Sequence, residues 1–181
     1  MEQTEKKFAG VKDGEVFEAG GIEFIKFPDR NGVTPVVAKD ILFISEFGED
    51  NNFANSVIFE RLQKEVLPKM MEDVGEDNVL TFRTDLTTLD GLKTYGELES
   101  RISLPTSDFY RENVEIFDRH NPGAWWWLAT ADSAKPHCDP IWTTCVSPRG
   151  YVSNDASCSY GNSGVRPFLN FVSSIFGSCK E

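Results

Sequence analysis

No stretch of this chain approaches the ~18 consecutive apolar residues that a membrane-spanning helix requires, and the opening MEQTEKKFAG carries two lysines without an apolar segment behind them. Neither a cleaved export signal nor membrane insertion is therefore expected; cytoplasmic synthesis is, with incorporation into a virion compatible with it. Histidine is scarce: only His120 and His137 occur, so a site of two histidines and one carboxylate would have to use both. No Gly-x-Ser-x-Gly elbow is present, which removes the usual sign of a serine hydrolase. The four cysteines, Cys138, Cys145, Cys158 and Cys179, all lie in the last quarter, at spacings that match neither a C-x-x-C clamp nor a zinc pattern. Reduced thiols are the expectation, with a bridge between two of the first three left open for oxidising surroundings. Positive charge is short as well. Eighteen Lys and Arg face 29 Asp and Glu, a net charge of −11 that repels phosphate backbones and argues against nucleic acid as a partner. The acidic residues Glu46, Glu49, Asp50, Glu72, Asp73, Glu76 and Asp77 read as a solvated surface.

Aromatic residues are plentiful by contrast, with fourteen Phe and four Trp in 181 residues, enough for a packed core. Between Val16 and Ser45, short apolar runs alternate with Gly20-Gly21 and Asp29-Arg30-Asn31-Gly32, which predicts antiparallel strands joined by tight turns. From Asn55 to Pro68, Ile58, Phe59, Leu62 and Val66 recur at helical spacing behind an Asn or Ser cap. Pro68 ends or kinks that helix, and Met70-Met71 add a last turn. Asp73 to Tyr95 reads as irregular around a short strand near Val79 to Phe82, and Thr106-Ser107-Asp108 caps a second helix carrying Phe109 and Tyr110.

From Gly123 onward Trp, Ser, Thr, Gly and Asn dominate. Ala124 to Thr130, Ile141 to Ser147, Tyr151 to Ser153 and Gly164 to Phe171 read as strands, joined by Pro148-Arg149-Gly150 and by a polar stretch from Asn154 to Ser163. With no fixed-period repeat and no long linker, residues 1–181 are expected to form one domain: 1–122 a scaffold part, 123–181 a ligand-binding part.

The pattern Trp125-Trp126-Trp127-Leu128-Ala129-Thr130, then Val146-Ser147-Pro148-Arg149-Gly150, then Tyr160 through Gly164-Val165-Arg166-Pro167 resembles a domain family of unknown function found widely in gut Firmicutes and their phages. That family is marked by a WWLRSP…V…DG…GVRP signature. Further matching segments, among them Ile41 to Ser45, Thr84 to Thr88, Asp90-Gly91-Leu92 and Ile102 to Thr106, follow in the same order, so the resemblance covers nearly the whole chain. The Trp-Trp and Gly-Val-Arg-Pro signatures are similar to those of the C-type-lectin-like fold used by formylglycine-generating enzymes and by the variable proteins of diversity-generating retroelements. The resemblance implies an α+β, C-type-lectin-like fold of short antiparallel strands with two helices. In such variable proteins a rigid scaffold presents changeable side chains, and phage examples act in receptor binding.

Within that frame, Trp125, Trp126 and Trp127 on one strand must point to alternate sides, so at least one is core. Gly164, Arg166 and Pro167 join them as scaffold, because a partly buried guanidinium can tie several carbonyls together. The proline-bounded segment from Ala131 to Pro140 supplies Asp132, Ser133, Lys135, His137 and Asp139, with Trp142 and Thr144 beside it. A second stretch supplies Ser153, Asn154, Asp155, Ser157, Ser159 and Tyr160. Aromatics among small polar groups make a typical recognition surface; an ordinary solvated loop is the plain alternative. Pairs such as Asp139 with His137, or Asn154 with Asp155, hint at calcium. The Glu-Pro-Asn, Gln-Pro-Asp and Trp-Asn-Asp triplets of calcium-dependent lectins do not occur, so neither metal nor cofactor is expected.

The expectation is a non-enzymatic ligand-binding protein acting on a protein or glycan at a cell surface, with a homo-oligomer left open. The rivals are a formylglycine-generating-like oxidase, which would need a copper-binding cysteine pair, and a structural virion or assembly protein.

Overall fold

The computed structural model describes residues 8–177; Cys179 lies outside them. The chain is α+β, with sheets that are almost entirely antiparallel. The N-terminal strands β1 (Val16–Ala19), β2 (Ile22–Lys26) and β3 (Val33–Ala38) form where expected. The turn before β3 places Asn31 and Gly32 at φ 52° and 80°, a left-handed pair that asparagine and glycine adopt at least cost. After β4 (Phe43–Ser45), Ser56 caps α1 (Val57–Arg61), its Oγ accepting from the Phe59 N–H at 3.0 Å. A π-turn (Leu62–Val66) leads into α2 (Leu67–Val74). Pro68 thus does not end the helical run, which is unbroken from Val57 to Val74. It occupies the first turn of α2, and the wider π-turn takes up the irregularity.

The strand expected near Val79 to Phe82 is displaced: Val79 makes only an isolated bridge to Phe171. The strand itself is β5 (Phe82–Asp85), paired with β6 (Glu97–Ser100), an element that the charged sequence around it concealed. Thr106 caps α3 (Ser107–Glu112) through Oγ1 on the Phe109 N–H at 3.2 Å, and α4 (Val114–Arg119) follows directly. The last third contributes β7 (Trp126–Ala131), β8 (Trp142–Val146), β9 (Val152–Ser157), β10 (Ser163–Val165) and β11 (Phe168–Val172). The polar stretch from Asn154, expected as a connecting loop, is therefore strand as far as Ser157.

A four-stranded sheet runs β1-β2-β3-β11, so the last strand closes against the first hairpins; a five-stranded sheet runs β4-β10-β7-β8-β9, with β10 parallel to β7; and β5 with β6 makes a third. Period-two alternation divides the core. Phe24, Val36 and Trp127 pack into a cluster with Ile58, Leu62 and Met70 of the first helical stretch. Ile25, Val37 and Trp126, their chain neighbours, pack on the other side with Tyr110 and Phe117 of α3 and α4. Helices thus cover both sides of this strand framework.

Candidate ligand-binding hollow

The three tryptophans show how the frame and the display surface meet. Trp126 stacks on Phe117 with ring centroids 5.6 Å apart, and Trp127 packs on Phe47 while donating Nε1 to Ser45 O at 2.8 Å. Both are buried. Trp125, one residue before β7, is 37% exposed and meets Tyr151 edge-on, 6.2 Å between centroids and 86° between planes. The expectation that all three serve the scaffold therefore applies to two of them.

Arg166 is wholly buried, and among the described residues its Nη1 has no hydrogen-bond partner. Its Nε donates to Ala38 O at 2.9 Å, Nη2 reaches His120 O at 3.5 Å, and the guanidinium lies 4.7 Å from the Trp126 ring centroid. Loss of water around it pushes its pKa down to about 10. Gly164 is needed for a different reason: a Cβ there would sit 2.5 Å from the Ile41 side chain. Pro167 is buried beside them, its carbonyl accepting from the Ala38 N–H.

Strand β9 is the outer strand of its sheet and carries a bulge. Between the pairs Thr143↔Ala156 and Cys145↔Ser153, one residue of β8, Thr144, faces two of β9, Asn154 and Asp155. Bulges re-aim side chains, and these two part company. Asp155 turns to a hollow of about 430 Å³, lined also by Ser153, Tyr160, Trp125, Tyr151, Asn162 and Ser163 and floored by Cys145. Asn154 instead donates Nδ2 to Asp132 Oδ1 at 2.7 Å. Ser153 donates Oγ to Asp155 Oδ1, and Ser157 and Ser159 share a hydroxyl contact at 3.0 Å.

Thr144 requires correction as a ligand contact. It is fully buried, and its hydroxyl donates to Thr130 O at 2.7 Å, where irregular pairing of β7 with β8 leaves that carbonyl in need of a donor. Ser133 is corrected for a similar reason: it is buried and donates Oγ to Asp90 Oδ2 at 2.6 Å. His137 Nδ1 meets the same oxygen at 2.8 Å, and Thr88 Oγ1 donates to Oδ1. The hydroxyls of Ser133 and Thr88, then His137, hold the Asp90 carboxyl well below the usual carboxylate range. This places Ser, His and Asp together, but as three spokes on one carboxylate. The serine hydroxyl is given to Asp90 and not to the histidine, which makes an anchor rather than a nucleophile with its base.

The segment from Asp132 to Ile141 is pinned a second time. Asn51, itself buried, donates Nδ2 to Ser133 O at 2.9 Å and to Trp142 O at 2.6 Å, and its Oδ1 accepts from Tyr95 OH at 2.6 Å. Lys135 and Asp139 remain exposed, and Trp142 is 37% exposed. The predicted ligand residues are thus not brought into one site. Ser153, Asp155 and Tyr160 line the hollow, while the Asp132 to Asp139 segment forms a separate, tethered margin.

Sequence reasoning missed Tyr151, Asn162 and Ser163 in the hollow and Asp90, Asn51 and Tyr95 in the anchor. Tyr151 carried a usable signal, a large ring directly after the Pro148-Arg149-Gly150 turn; Asn51 sits within an acidic run and carried none. The three described cysteines are free thiols. Burial pushes the Cys145 thiol up to about 12 and raises that of Cys158, so neither offers the ready thiolate that metal binding or redox chemistry uses. His120 is turned to Gly14 O at 2.8 Å, and among the described residues no three His, Cys, Asp or Glu side chains converge on a metal position. No helix among them is long and apolar enough to cross a membrane. Comparison of the chain with family models, with curated proteins and with solved structures finds no match.

Proposed function

We propose that the protein is a non-enzymatic ligand-binding domain with a C-type-lectin-like fold, of the kind that serves as the variable protein of a diversity-generating retroelement in phage receptor or cell-surface recognition. The observation that carries this reading is the hollow on β8 and β9. Trp125, Tyr151 and Tyr160 expose large ring area there, and small polar groups from a bulged outer strand stand among them. Rings of this kind give contact area at little entropic cost, and the volume suits part of a protein or glycan ligand. The frame beneath supports exchange of the surface residues. Trp126, Trp127 and Arg166 are held by partners outside the hollow, so substitutions at Tyr151, Ser153, Asp155 or Tyr160 leave the core contacts in place.

The oxidase alternative draws less support, because Cys145 and Cys158 are buried thiols rather than an accessible pair. A glycan and cell-surface binding array tests the reading. Wild-type protein should give a discrete set of bound surfaces, Tyr151→Ala and Tyr160→Ala should abolish them, and Trp142→Ala on the tethered margin should leave most of the signal. Binding that survives both tyrosine variants would overturn the choice of site. Sequencing the locus tests the retroelement part, which fails if no reverse transcriptase and template repeat lie nearby.

A further inference from the structure

Resting on that reading of the hollow, we infer that the group it recognises is a methylated ammonium, carried as the cationic head of a larger ligand. Trp125 and Tyr151 stand 86° apart with centroids separated by 6.2 Å, the edge of one ring toward the face of the other, so the pair makes a re-entrant angle on the lining of the hollow. A corner of this kind suits a compact group that touches both faces at once and gives no wide flat platform for a ring to stack upon. Each face is the negative pole of an aromatic quadrupole, so a weakly hydrated cation in the corner is attracted by both. Tyr160, 53% exposed, adds a third ring to the lining.

The charge around the corner has the matching sign. Among the described residues that line it, Asp155 is the carboxylate and none is Lys, Arg or His. One Asp155 oxygen is already engaged by the Ser153 hydroxyl, which orients the carboxylate and removes that hydroxyl from competition for a sugar. An anionic ligand would meet Asp155 and the field of a chain of net charge −11, whereas a cation is drawn by both. The hollow, about 430 Å³, exceeds a trimethylammonium several times over, which leaves Ser163 and Asn162 for the remainder of the ligand.

Choline chloride is the direct probe, titrated by calorimetry and by tryptophan fluorescence against 3,3-dimethylbutan-1-ol, its uncharged isostere. Choline is expected to bind at least roughly tenfold more tightly than the isostere, as a ring-faced cation site requires. Tyr151→Ala and Asp155→Asn should each weaken choline by a similar factor while leaving the melting temperature nearly unchanged, since both side chains are exposed. Equal affinity for the two compounds would overturn the inference, as would binding of methyl glycosides with none of choline. If choline fails while array binding remains sensitive to Tyr151→Ala, the ammonium inference falls and the hollow stands as the binding site. If choline binds through Tyr151 while the array stays silent, the ammonium site stands and the cell-surface role falls.

Discussion

Two polar stretches of the last third look alike in sequence and behave differently in space. Residues 132–141 and residues 151–163 are both mixtures of polar and small side chains, and both contain or adjoin an aromatic residue. The first is bound down from outside. Asn51 holds the carbonyls of Ser133 and Trp142, and Asp90 gathers Ser133 and His137. The second keeps two of its side-chain hydrogen bonds within itself, Ser153 on Asp155 and Ser157 on Ser159, sends Asn154 to Asp132, and leaves its aromatic rings open around a hollow. A polar composition therefore does not identify a binding surface; what decides is whether the polar atoms are already used by the fold.

The comparison breaks most severely if the shared frame is removed. Trp127→Ala deletes a buried indole, its contact with Phe47 and its bond to Ser45 O, and should cost about 3–5 kcal/mol in chemical denaturation, loosening both stretches together. Loss of one stretch alone would show that the frame is not common to them. Asn51→Ala should separate the two. Three hydrogen bonds disappear, the Ser133 carbonyl loses the Asn51 donor and the Trp142 carbonyl keeps only the Asp132 N–H, for about 2–3 kcal/mol. Hydrogen exchange should rise across residues 132–141 while choline or array binding through Tyr151 is unchanged.

Acid sharpens the contrast more gently. The Asp90 carboxyl is held below its unfolded value, so its contribution is fully present above pH ~4 and is lost as pH falls through the depressed value of the folded state. Exchange in the Ser133 to His137 segment should therefore stay slow through mild acidification and quicken only in stronger acid. Asp90→Asn should make the segment mobile at neutral pH and flatten that dependence, with residues 151–163 indifferent throughout. The smallest stability effect belongs to Tyr151→Ala, within about 0.5 kcal/mol of wild type by thermal melting, because the ring is 56% exposed. A larger loss would mean that the tyrosine is part of the frame.

Local signals in the chain were good guides where the physics is local. The Asn31-Gly32 turn, the Ser56 and Thr106 caps and the alternation of Trp126 and Trp127 across β7 depend on neighbours within a few residues, and they formed as read. Sequence reading also singled out Ser153, Asp155 and Tyr160, which line the hollow. It failed at β6 and at Asn154 to Ser157, where strand is imposed by a partner strand on residues of low strand preference.

The Asn31-Gly32 turn and the alternation that splits the core are written in the residues themselves, because each follows from backbone geometry over a few positions; the need for glycine at position 164 is not, since it comes from the Ile41 side chain far off in the chain. The division of the polar residues into anchor and open surface was decided only by tertiary structure. Asn51 meets partners 82 and 91 positions away, Asp90 meets His137 across 47, and one extra residue in β9 sends Asn154 and Asp155 to different neighbours. Such contacts depend on which strands lie side by side, and no short window of sequence carries that information.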